Sequence, residues 1–360
     1  MKILIVGEYS CFAKELKKGF VELGHECTIF TWGDGINLIK GFDDDYYFPR
    51  KENNVFMKLF SRIYQNIRVH YVCKTLKSKD LFDIVIIVSP DFIRPRGMVH
   101  RIGITKTMLT SLIKNNRKNV LMACGSDYAY CSYVDNFRKK PEKFRSIAIK
   151  RRRKDFENIK SFVSYIIPTH YEYAEAYRNF EEIGSLKLFK TIPLPVLASD
   201  FSSDNLIKND QITIFLGLMR DEKGYEAMDK AVKRIVQMYP NVHRIPNRRL
   251  PIEEYFIELS KANIVIDQCT FFSYGMHALF AMAMGKCVLS NNEPECRKEY
   301  EVDYIPIVNI KEDTDYIVSQ LSYLIENPSE ILRLGKEARL YCEQYHDSRI
   351  IAQRIIDSVM

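Results

Sequence analysis

Short apolar runs alternate with segments of helical spacing along most of the sequence, and this alternation restricts the fold more than any other feature. The run at 3–6 within MKILIVG predicts a buried parallel strand. Phe12, Leu16 and Phe20 then recur at helical spacing, and Gly24 is expected to end that helix. Further buried strands are predicted at 82–89, 119–126 and 163–169. This alternation is typical of a doubly wound parallel sheet.

One interruption divides the pattern. Residues 191–210 are rich in Pro, Ser and Asp and are interpreted as a linker, after which a strand is predicted at 212–217. Because 360 residues exceed what one hydrophobic core usually supports, we expect two domains. The predicted fold class is α/β, with two Rossmann-like doubly wound domains facing a cleft where ligands bind beyond the strand ends. The proposed ranges are 1–197, 198–340 and a C-terminal helical segment, 341–360, that packs back on the first domain; the helix pattern itself starts at Ser329.

Composition excludes several classes of protein. No apolar run approaches the ~18 residues that a membrane helix needs, and the apolar start is too short for a secretory signal. Nine cysteines without a C-x-x-C pair suit reduced thiols in the cytoplasm and argue against zinc. The net charge of +7 is concentrated in residues 1–200, whereas 201–360 are net acidic. An anionic partner of the first domain, nucleic acid or a membrane surface, would explain this, and ordinary solvated charge is the alternative.

Two motifs of the second half suit an anionic ligand. In LGLMRDEKG, a strand ends at Gly217 and the following loop carries Arg220 and Lys223, which could clamp a diphosphate. A solvated loop is an equally good interpretation. In SYGMHALFAMAMGK, Gly275 permits close backbone approach, and the amides of Met276 and His277 open a helix whose dipole favours an anion. The Ala and Met residues that follow are expected to pack in the core.

Two motifs of the first half carry carboxylates. In ACGSDYAY, Gly125, Ser126 and Asp127 follow a buried strand. Asp127 could bind sugar hydroxyls or accept a proton, and the alternative is an aspartate that caps the following turn. The FDDDYYF motif at 42–48 has the Asp-x-Asp spacing of some metal sites, but it lies in a polar loop, and we reject the metal interpretation.

A run of five cations follows on a predicted helix. Five successive helical residues span more than one turn, so they form a positive end rather than a stripe. Such clusters attract anionic lipid headgroups, whereas RNA binding lacks an accompanying aromatic platform. A solvated helix is the alternative. The cluster consists of Lys150, Arg151, Arg152, Arg153 and Lys154.

Taken together, these residues resemble a known family. The start MKILIVGEYS…ELGHECTIFT, the pivot IPLPV and the stretch GLMRDEKGYEAMDKAV…SKANIVIDQ…YGMHALFAMAMGKCVLS are similar to GT-B glycosyltransferases of the retaining group 1 (family 4) type. The closing segment LGKEARLYCEQYHDSRIIAQRI is similar as well. The resemblance covers nearly the whole chain and is strongest over 212–290.

The resemblance implies a metal-independent enzyme with no cofactor, which uses a nucleotide-sugar as its donor substrate. Its C-terminal domain would bind the donor and its N-terminal domain the acceptor. Lys223 falls where the family places a diphosphate-binding lysine, and Arg220 would substitute for the companion arginine, whose place is taken by Leu218. The start of the helix from Gly275 to His277 matches the family's diphosphate contact.

The family's two glutamates, which hold the donor sugar and the ribose, fall on Phe272 and Phe280. Glu293 and Glu295, just past the next strand, are the candidates to replace them, and a solvated loop is the alternative. In the first domain, Gly7 and Glu8 are expected at the cleft together with Gly125 and Ser126.

The function predicted from these features is transfer of a sugar, with retention, to a saccharide acceptor, expected to be lipid-linked, in surface polysaccharide biosynthesis. Lys223 would stabilise the departing diphosphate, and Asp127 would orient sugar or acceptor. The basic cluster would dock the enzyme on the inner membrane face, and no nucleic-acid partner is expected. The alternatives are a catalytically silent binding partner with a GT-B frame, and a sugar-nucleotide epimerase.

Overall fold

The computed structural model describes residues 1–31, 46–47, 67, 70–76, 81–88, 113–125, 127–135, 145–217 and 223–360. The chain divides into two compact units. The first comprises Met1–Ile192 together with Gln353–Met360, and the second comprises Pro193–Ala352. Each unit contains a parallel sheet of its own.

The first unit contains a parallel sheet that has, among the described residues, the strand order β3-β2-β1-β4-β5-β6-β7. Its central strands are buried except at Lys2 and Lys118, the first residues of two of them, as expected of a parallel sheet covered on both faces. The order reverses direction beside β1, which pairs with both β2 and β4. The strands are β1 (Lys2–Val6), β2 (Glu26–Thr31), β3 (Tyr46–Tyr47), β4 (Ile84–Val88), β5 (Lys118–Ala123), β6 (Tyr165–Pro168) and β7 (Lys187–Leu188).

Helix α1 (Phe12–Glu22) has the predicted buried face. Phe12, Leu16 and Phe20 are fully buried, and Gly24 has the left-handed φ of 78° that ends a helix without strain. Further helices of the first unit that precede the linker are α2 (Tyr128–Asp135), α3 (Arg145–Lys160) and α4 (Tyr171–Arg178), and residues 70–76 are helical as well.

The second unit repeats the arrangement with the strand order β12-β11-β10-β8-β9, again with parallel pairing in the described residues. The order reverses between β8 and β10, so the crevice outside their carboxyl ends is the expected ligand position of this sheet. Its strands are β8 (Ile212–Leu216), β9 (Val242–Arg244), β10 (Ile264–Ile266), β11 (Cys287–Ser290) and β12 (Val308–Asn309).

The α-helices of the second unit include α5 (Tyr225–Met238), α6 (Ile252–Ser260), α7 (Met276–Ala283), α8 (Pro294–Tyr300), α9 (Thr314–Glu326) and α10 (Pro328–Tyr341). Of these, α5, α9 and α10 pack into one buried core with β8, β10 and β11. Helix α7 is buried along its length except at His277, so the predicted packing of its Ala and Met residues is confirmed.

The prediction of one long C-terminal helix from Ser329 was wrong. Helix α10 runs into a π-helical turn (Cys342–His346), the chain is extended at Asp347, and α11 (Ser348–Val359) follows. The break has a distant cause. The Val196 amide donates to the His346 carbonyl at 2.8 Å, and the Ser348 amide donates to the Val196 carbonyl at 3.1 Å. The linker therefore forms a short parallel bridge with the helix break.

Among the described helices, none combines the length and the apolar character that a bilayer span requires. The chain passes from the first unit to the second after Ile192 and returns to the first unit within α11, at Gln353.

Candidate functional site

The candidate site lies at the point in the second sheet where the strand order reverses. Gly217 directly follows β8, and Asp267 directly follows β10. The Gly217 amide donates to the Ile266 carbonyl at 2.9 Å, which holds the two strand ends together. Residues that extend beyond these ends converge on the same edge of the sheet.

Asp267 is the centre of this cluster. Its side chain is 1% exposed, and its Oδ1 lies 2.8 Å from Lys223 Nζ, on a side chain that is 22% exposed. Its Oδ2 accepts the Gly275 amide at 2.9 Å and the Ser290 hydroxyl at 3.3 Å. Burial opposes the charge, but the Lys223 ammonium and the Gly275 amide outweigh it, and the pKa of Asp267 is lowered. Asp267 is therefore a buried carboxylate ion at neutral pH.

Helix α7 begins beside this carboxylate. Gly275 is its N-cap, with the extended φ of −109° and ψ of −175°. A Cβ placed on Gly275 would lie 3.4 Å from Asp267 Oδ2 and 3.7 Å from Lys223 Nζ, so the ammonium lies against the start of the helix. In the described part of the chain, the amides of Met276 and His277 have no hydrogen-bond acceptor. Free first-turn amides, the helix dipole and an ammonium are the components of an anion site.

His277 faces the strand ends from the first turn of α7. The Tyr255 hydroxyl bonds its Nδ1, and the ring of Phe215 lies 5.5 Å from its centroid. Its Nε2 is buried without a well-formed hydrogen bond to any described residue. Burial lowers the pKa of His277 to about 4, with Lys223 acting in the same direction and Asp267 and the Ile266 backbone carbonyl against it. The imidazole is neutral at physiological pH.

The Lys223 position depends on the residue that follows it. Gly224 has a φ of 76°, and a Cβ there would lie 2.3 Å from the sulfur of Cys269. The Cys269 amide donates to the Lys223 carbonyl at 3.0 Å. Only glycine lets this loop lie so close to the segment that follows β10. Arg220 and Leu218 lie outside the described residues.

The two phenylalanines that occupy the family's glutamate positions have different surroundings. Phe280 is 3% exposed and packs at 4.9 Å from Phe256 and 5.8 Å from Phe201, measured between ring centroids. It is a core residue. Phe272 is half-buried in the loop before α7, and its carbonyl accepts the Glu293 amide at 3.1 Å.

Glu293 therefore lies next to the position where the first family glutamate would be. It is half-buried, and its Oε1 accepts the Asn309 amide nitrogen at 3.1 Å. It is also the N-cap residue of α8. Glu295 is half-buried in the first turn of α8. The structure brings Glu293 to the sheet edge that carries Asp267, since β11 and β10 are neighbours.

In the first unit, the loop after β1 contains a buried glutamate, Glu8, that bonds to the start of the next helix. Gly7 has a φ of 108°, and the following Glu8 is 3% exposed. Its Oε1 accepts the Ala13 amide at 3.3 Å and its Oε2 the Lys14 amide at 3.0 Å. Glu8 thus satisfies the amides at the start of α1, a structural role at the predicted loop.

Asp127 is fully buried beyond the end of β5. Its Oδ1 accepts the Tyr130 amide at 2.8 Å, and its Oδ2 accepts the Tyr177 hydroxyl at 3.1 Å. The first bond is that of a cap on helix α2, the alternative considered from the sequence. Gly125 has a φ of 67°, and a Cβ there would lie 2.8 Å from the Tyr9 ring. Ser126 lies outside the described residues. Any contact of Asp127 with substrate stays a prediction.

The basic cluster lies on helix α3. Lys150, Arg153 and Lys154 are exposed, whereas Arg152 is half-buried, and the Arg151 side chain lies outside the described residues. Arg153 pairs with Glu182 at 3.2 Å. The exposed cations recur at a spacing of three and four, so they share one face of the helix. The Asp-x-Asp at 43–45 lies outside the described residues.

Sequence reasoning missed Asp267 and Tyr255. Asp267 directly follows β10, which ends at Ile266. The available signal was an acidic residue at the carboxyl end of a buried strand, the same pattern that singled out Asp127. Tyr255 gave no signal, because it lies on a helix 22 residues from His277.

The fold is shared with solved structures over nearly the whole chain. Sucrose-phosphate synthase from Thermosynechococcus elongatus aligns over 99% of this chain and 98% of its own, with 13% identity and a TM-score of 0.63. Anabaena HepE in complex with UDP-glucose aligns over 99% of both chains, with 13% identity and a TM-score of 0.61. An α-glucosyltransferase in complex with UDP and a 13-mer DNA aligns over 99% and 98%, with 14% identity and a TM-score of 0.64.

At these identities the likeness establishes the fold alone. The predicted fold class is confirmed: an α/β chain with two Rossmann-like parallel sheets, of the GT-B type. The sequence matches no protein-family model and no curated protein.

Proposed function

We propose that this protein is a glycosyltransferase that takes its sugar from a uridine diphosphate donor. The observation that carries the proposal is the start of α7, where two amides without acceptors in the described chain lie beside the Lys223 ammonium. This start lies where the second sheet reverses its strand order, and ligands of open α/β sheets bind at such points. Two of the structurally similar proteins, HepE and the α-glucosyltransferase, are complexes with UDP or UDP-glucose.

The diphosphate would be bound by the amides of Met276 and His277 and by Lys223. Charge-assisted hydrogen bonds of this type are roughly twice as strong as neutral ones, and the helix dipole adds to them. During transfer, negative charge grows on the departing diphosphate, and fixed donors stabilise it without reorganisation. The neutral His277 ring leaves Lys223 as the cation of this cluster in the described chain.

The donor sugar and ribose would be held by Glu293, with Glu295 as a second candidate. Glu293 supports this role by its position, because its amide is bonded to Phe272 and its carboxylate is half-buried at the edge of the sheet. Phe280 takes no part, since it packs in an aromatic cluster. The reaction would retain the anomeric configuration and require neither a dedicated nucleophile nor a metal.

The acceptor would be a saccharide, lipid-linked and destined for a surface polysaccharide. The support for a membrane-bound acceptor is the exposed face of α3 formed by Lys150, Arg153 and Lys154. A cation of this kind contributes about 1 kcal/mol of attraction to an anionic leaflet, and Arg153 contributes less because it pairs with Glu182. The enzyme would then work at the cytoplasmic membrane face, and Asp127 would act indirectly by positioning the loop after β5.

A second candidate function, a silent binding partner with this fold, is favoured by one observation. Lys223 already has a carboxylate partner in Asp267, so the lysine has a structural role without any ligand. A silent partner needs no donor, and therefore donor binding and turnover separate the two functions.

The proposal is tested with a panel of UDP, GDP, ADP and CMP and their sugar conjugates, first by thermal shift and then by release of nucleotide in the presence of saccharide acceptors. A ligand held only by the folded state raises the unfolding temperature. We expect a shift with uridine compounds, weakened in Lys223→Met. The matched control is Lys230→Met, since Lys230 forms an exposed ion pair with Glu226.

Activity in excess chelator should equal activity with Mg²⁺. No binding of any nucleotide would contradict the proposal and favour the silent partner, and binding without turnover on any acceptor would contradict sugar transfer.

A further inference from the structure

The buried carboxylate of Asp267 lies at the start of α7, next to the position proposed for a ligand's anion. Among the described residues, it holds the one ion pair of Lys223, at 2.8 Å, and it takes the N-cap amide of α7, at 2.9 Å. Lys223 belongs to the anion site described above, and the Gly275 amide directly precedes the two amides of that site. The cation of the site is thus already paired within the protein.

We infer that Asp267 is an internal anion that competes with the donor diphosphate for Lys223 and thereby sets the affinity of the site. This inference rests on the proposed function and adds a residue that determines its affinity. Binding would require Lys223 to exchange one anion for another, while the carboxylate stays in place.

The two partners differ in their freedom to move. Asp267 is 1% exposed and is held by two neutral donors, the Gly275 amide and the Ser290 hydroxyl. Lys223 is 22% exposed and makes no other ion pair with a described residue. The lysine can therefore turn towards a ligand, because its carboxylate partner keeps two hydrogen bonds when it leaves.

The exchange has an electrostatic cost. A buried carboxylate that loses its cation is poorly solvated, and it repels a phosphate bound at the same helix start. The amides of Met276 and His277 remain for the incoming anion, since Asp267 takes only the amide of Gly275. The anion site is thus partly open and has a carboxylate beside it that opposes anion binding. This carboxylate would keep the affinity for the nucleotide-sugar below what the same amides and lysine could provide without it.

The test is calorimetric titration of UDP, and separately of inorganic pyrophosphate, into the full chain and its variant Asp267→Asn. We expect the variant to bind both probes at least tenfold more tightly, since it frees Lys223 and removes one negative charge. The matched control is Asp229→Asn. Asp229 forms an ion pair with Arg244, at 2.7 Å, that does not involve the start of α7, so this substitution is expected to leave both affinities unchanged.

A second measurement examines the coupling itself. In wild type, Lys223→Met should weaken UDP binding less than the same change does in the Asp267→Asn background, because only wild type must first break the pair. Equal losses in the two backgrounds would overturn the inference. If Asp267→Asn does not fold, Asp267→Ser provides the same neutral background with a shorter side chain.

The outcomes separate this inference from the proposed function. If wild type binds UDP as tightly as the folded Asp267 variants, the inference is wrong and the proposed function stands. If the Asp267 variants bind pyrophosphate more tightly than wild type but no nucleotide binds, the inference stands and the proposed function fails. If neither probe binds to wild type or to the variants, both are wrong.

Discussion

Replacing His277 by asparagine should remove a pH dependence of folding that the structure assigns to this residue. The pKa of His277 is lowered from 6.5 to about 4 because burial disfavours the imidazolium. As the pH falls below 6.5, the unfolded chain binds a proton at this position and the folded chain does not. The stability that the neutral ring confers is therefore complete above pH 6.5 and is lost as the pH falls towards 4.

The magnitude follows from the two pKa values. With 1.36 kcal/mol per pKa unit, the full loss below pH 4 is about 3.4 kcal/mol, and the loss between pH 7 and pH 5 is about 2 kcal/mol. Asparagine keeps an acceptor for the Tyr255 hydroxyl but cannot titrate. The variant should thus lose about 2 kcal/mol less than wild type over that interval.

The assay is urea unfolding at the two pH values, followed by far-UV circular dichroism, with attention to the transition of the second unit. The control is His243→Asn, since His243 is exposed on β9 and its ring bonds Gln211. This control should behave as wild type. Equal losses for wild type and His277→Asn would refute the reasoning, because His277 would then titrate alike in the folded and unfolded chains.

Three further substitutions test individual contacts. Gly335→Ala should destabilise the second unit by about 1–3 kcal/mol or more, because its Cβ would lie 2.1 Å from the Gly285 carbonyl oxygen; thermal unfolding measures this. Gly224→Ala combines a left-handed φ of 76° with a clash against a sulfur at 2.3 Å, so both unfolding temperature and UDP affinity should fall. Tyr177→Phe removes the hydroxyl that bonds Asp127 at 3.1 Å and should cost about 1–3 kcal/mol in urea unfolding.

One variant controls for both glycine substitutions. Gly275→Ala places a Cβ at 3.4 Å or more from its neighbours, on a backbone that any residue adopts. Its unfolding temperature should stay close to that of wild type. If it fell as far as those of Gly335→Ala and Gly224→Ala, the steric explanation would be contradicted. For Tyr177→Phe, an unchanged unfolding free energy would show that Asp127 does not need this donor.

The fold could be predicted from local patterns because parallel strands covered on both faces require continuous apolar runs. The runs at 3–6 and 212–217 correspond to β1 and β8 for this reason. The C-terminal break at Asp347 could not be predicted, since the segment has helical spacing on both sides. Its cause is a pairing with Val196, which is distant in the sequence.

The site was predictable where a motif is local and unpredictable where a partner is distant. Gly275 and Lys223 belong to short motifs with a mechanism of their own. The pair of Lys223 with Asp267 spans 44 residues and depends on the neighbouring positions of β8 and β10. Likewise, the sequence suggests that Phe280 replaces a ligand-binding glutamate. Its contacts with Phe201 and Phe256 show that it is a core residue.

The central claim, that a donor diphosphate binds at the start of α7, is tested most directly by titrating UDP into wild type, Met276→Pro and Met276→Leu. Proline is tolerated at the first position of a helix, and the extended Gly275 suits the residue before it, so the substitution removes one amide donor and retains the helix. We predict that wild type and Met276→Leu bind one UDP per chain and that Met276→Pro, once shown to be folded, binds it at least tenfold more weakly. Equal affinity of a folded Met276→Pro would contradict the claim.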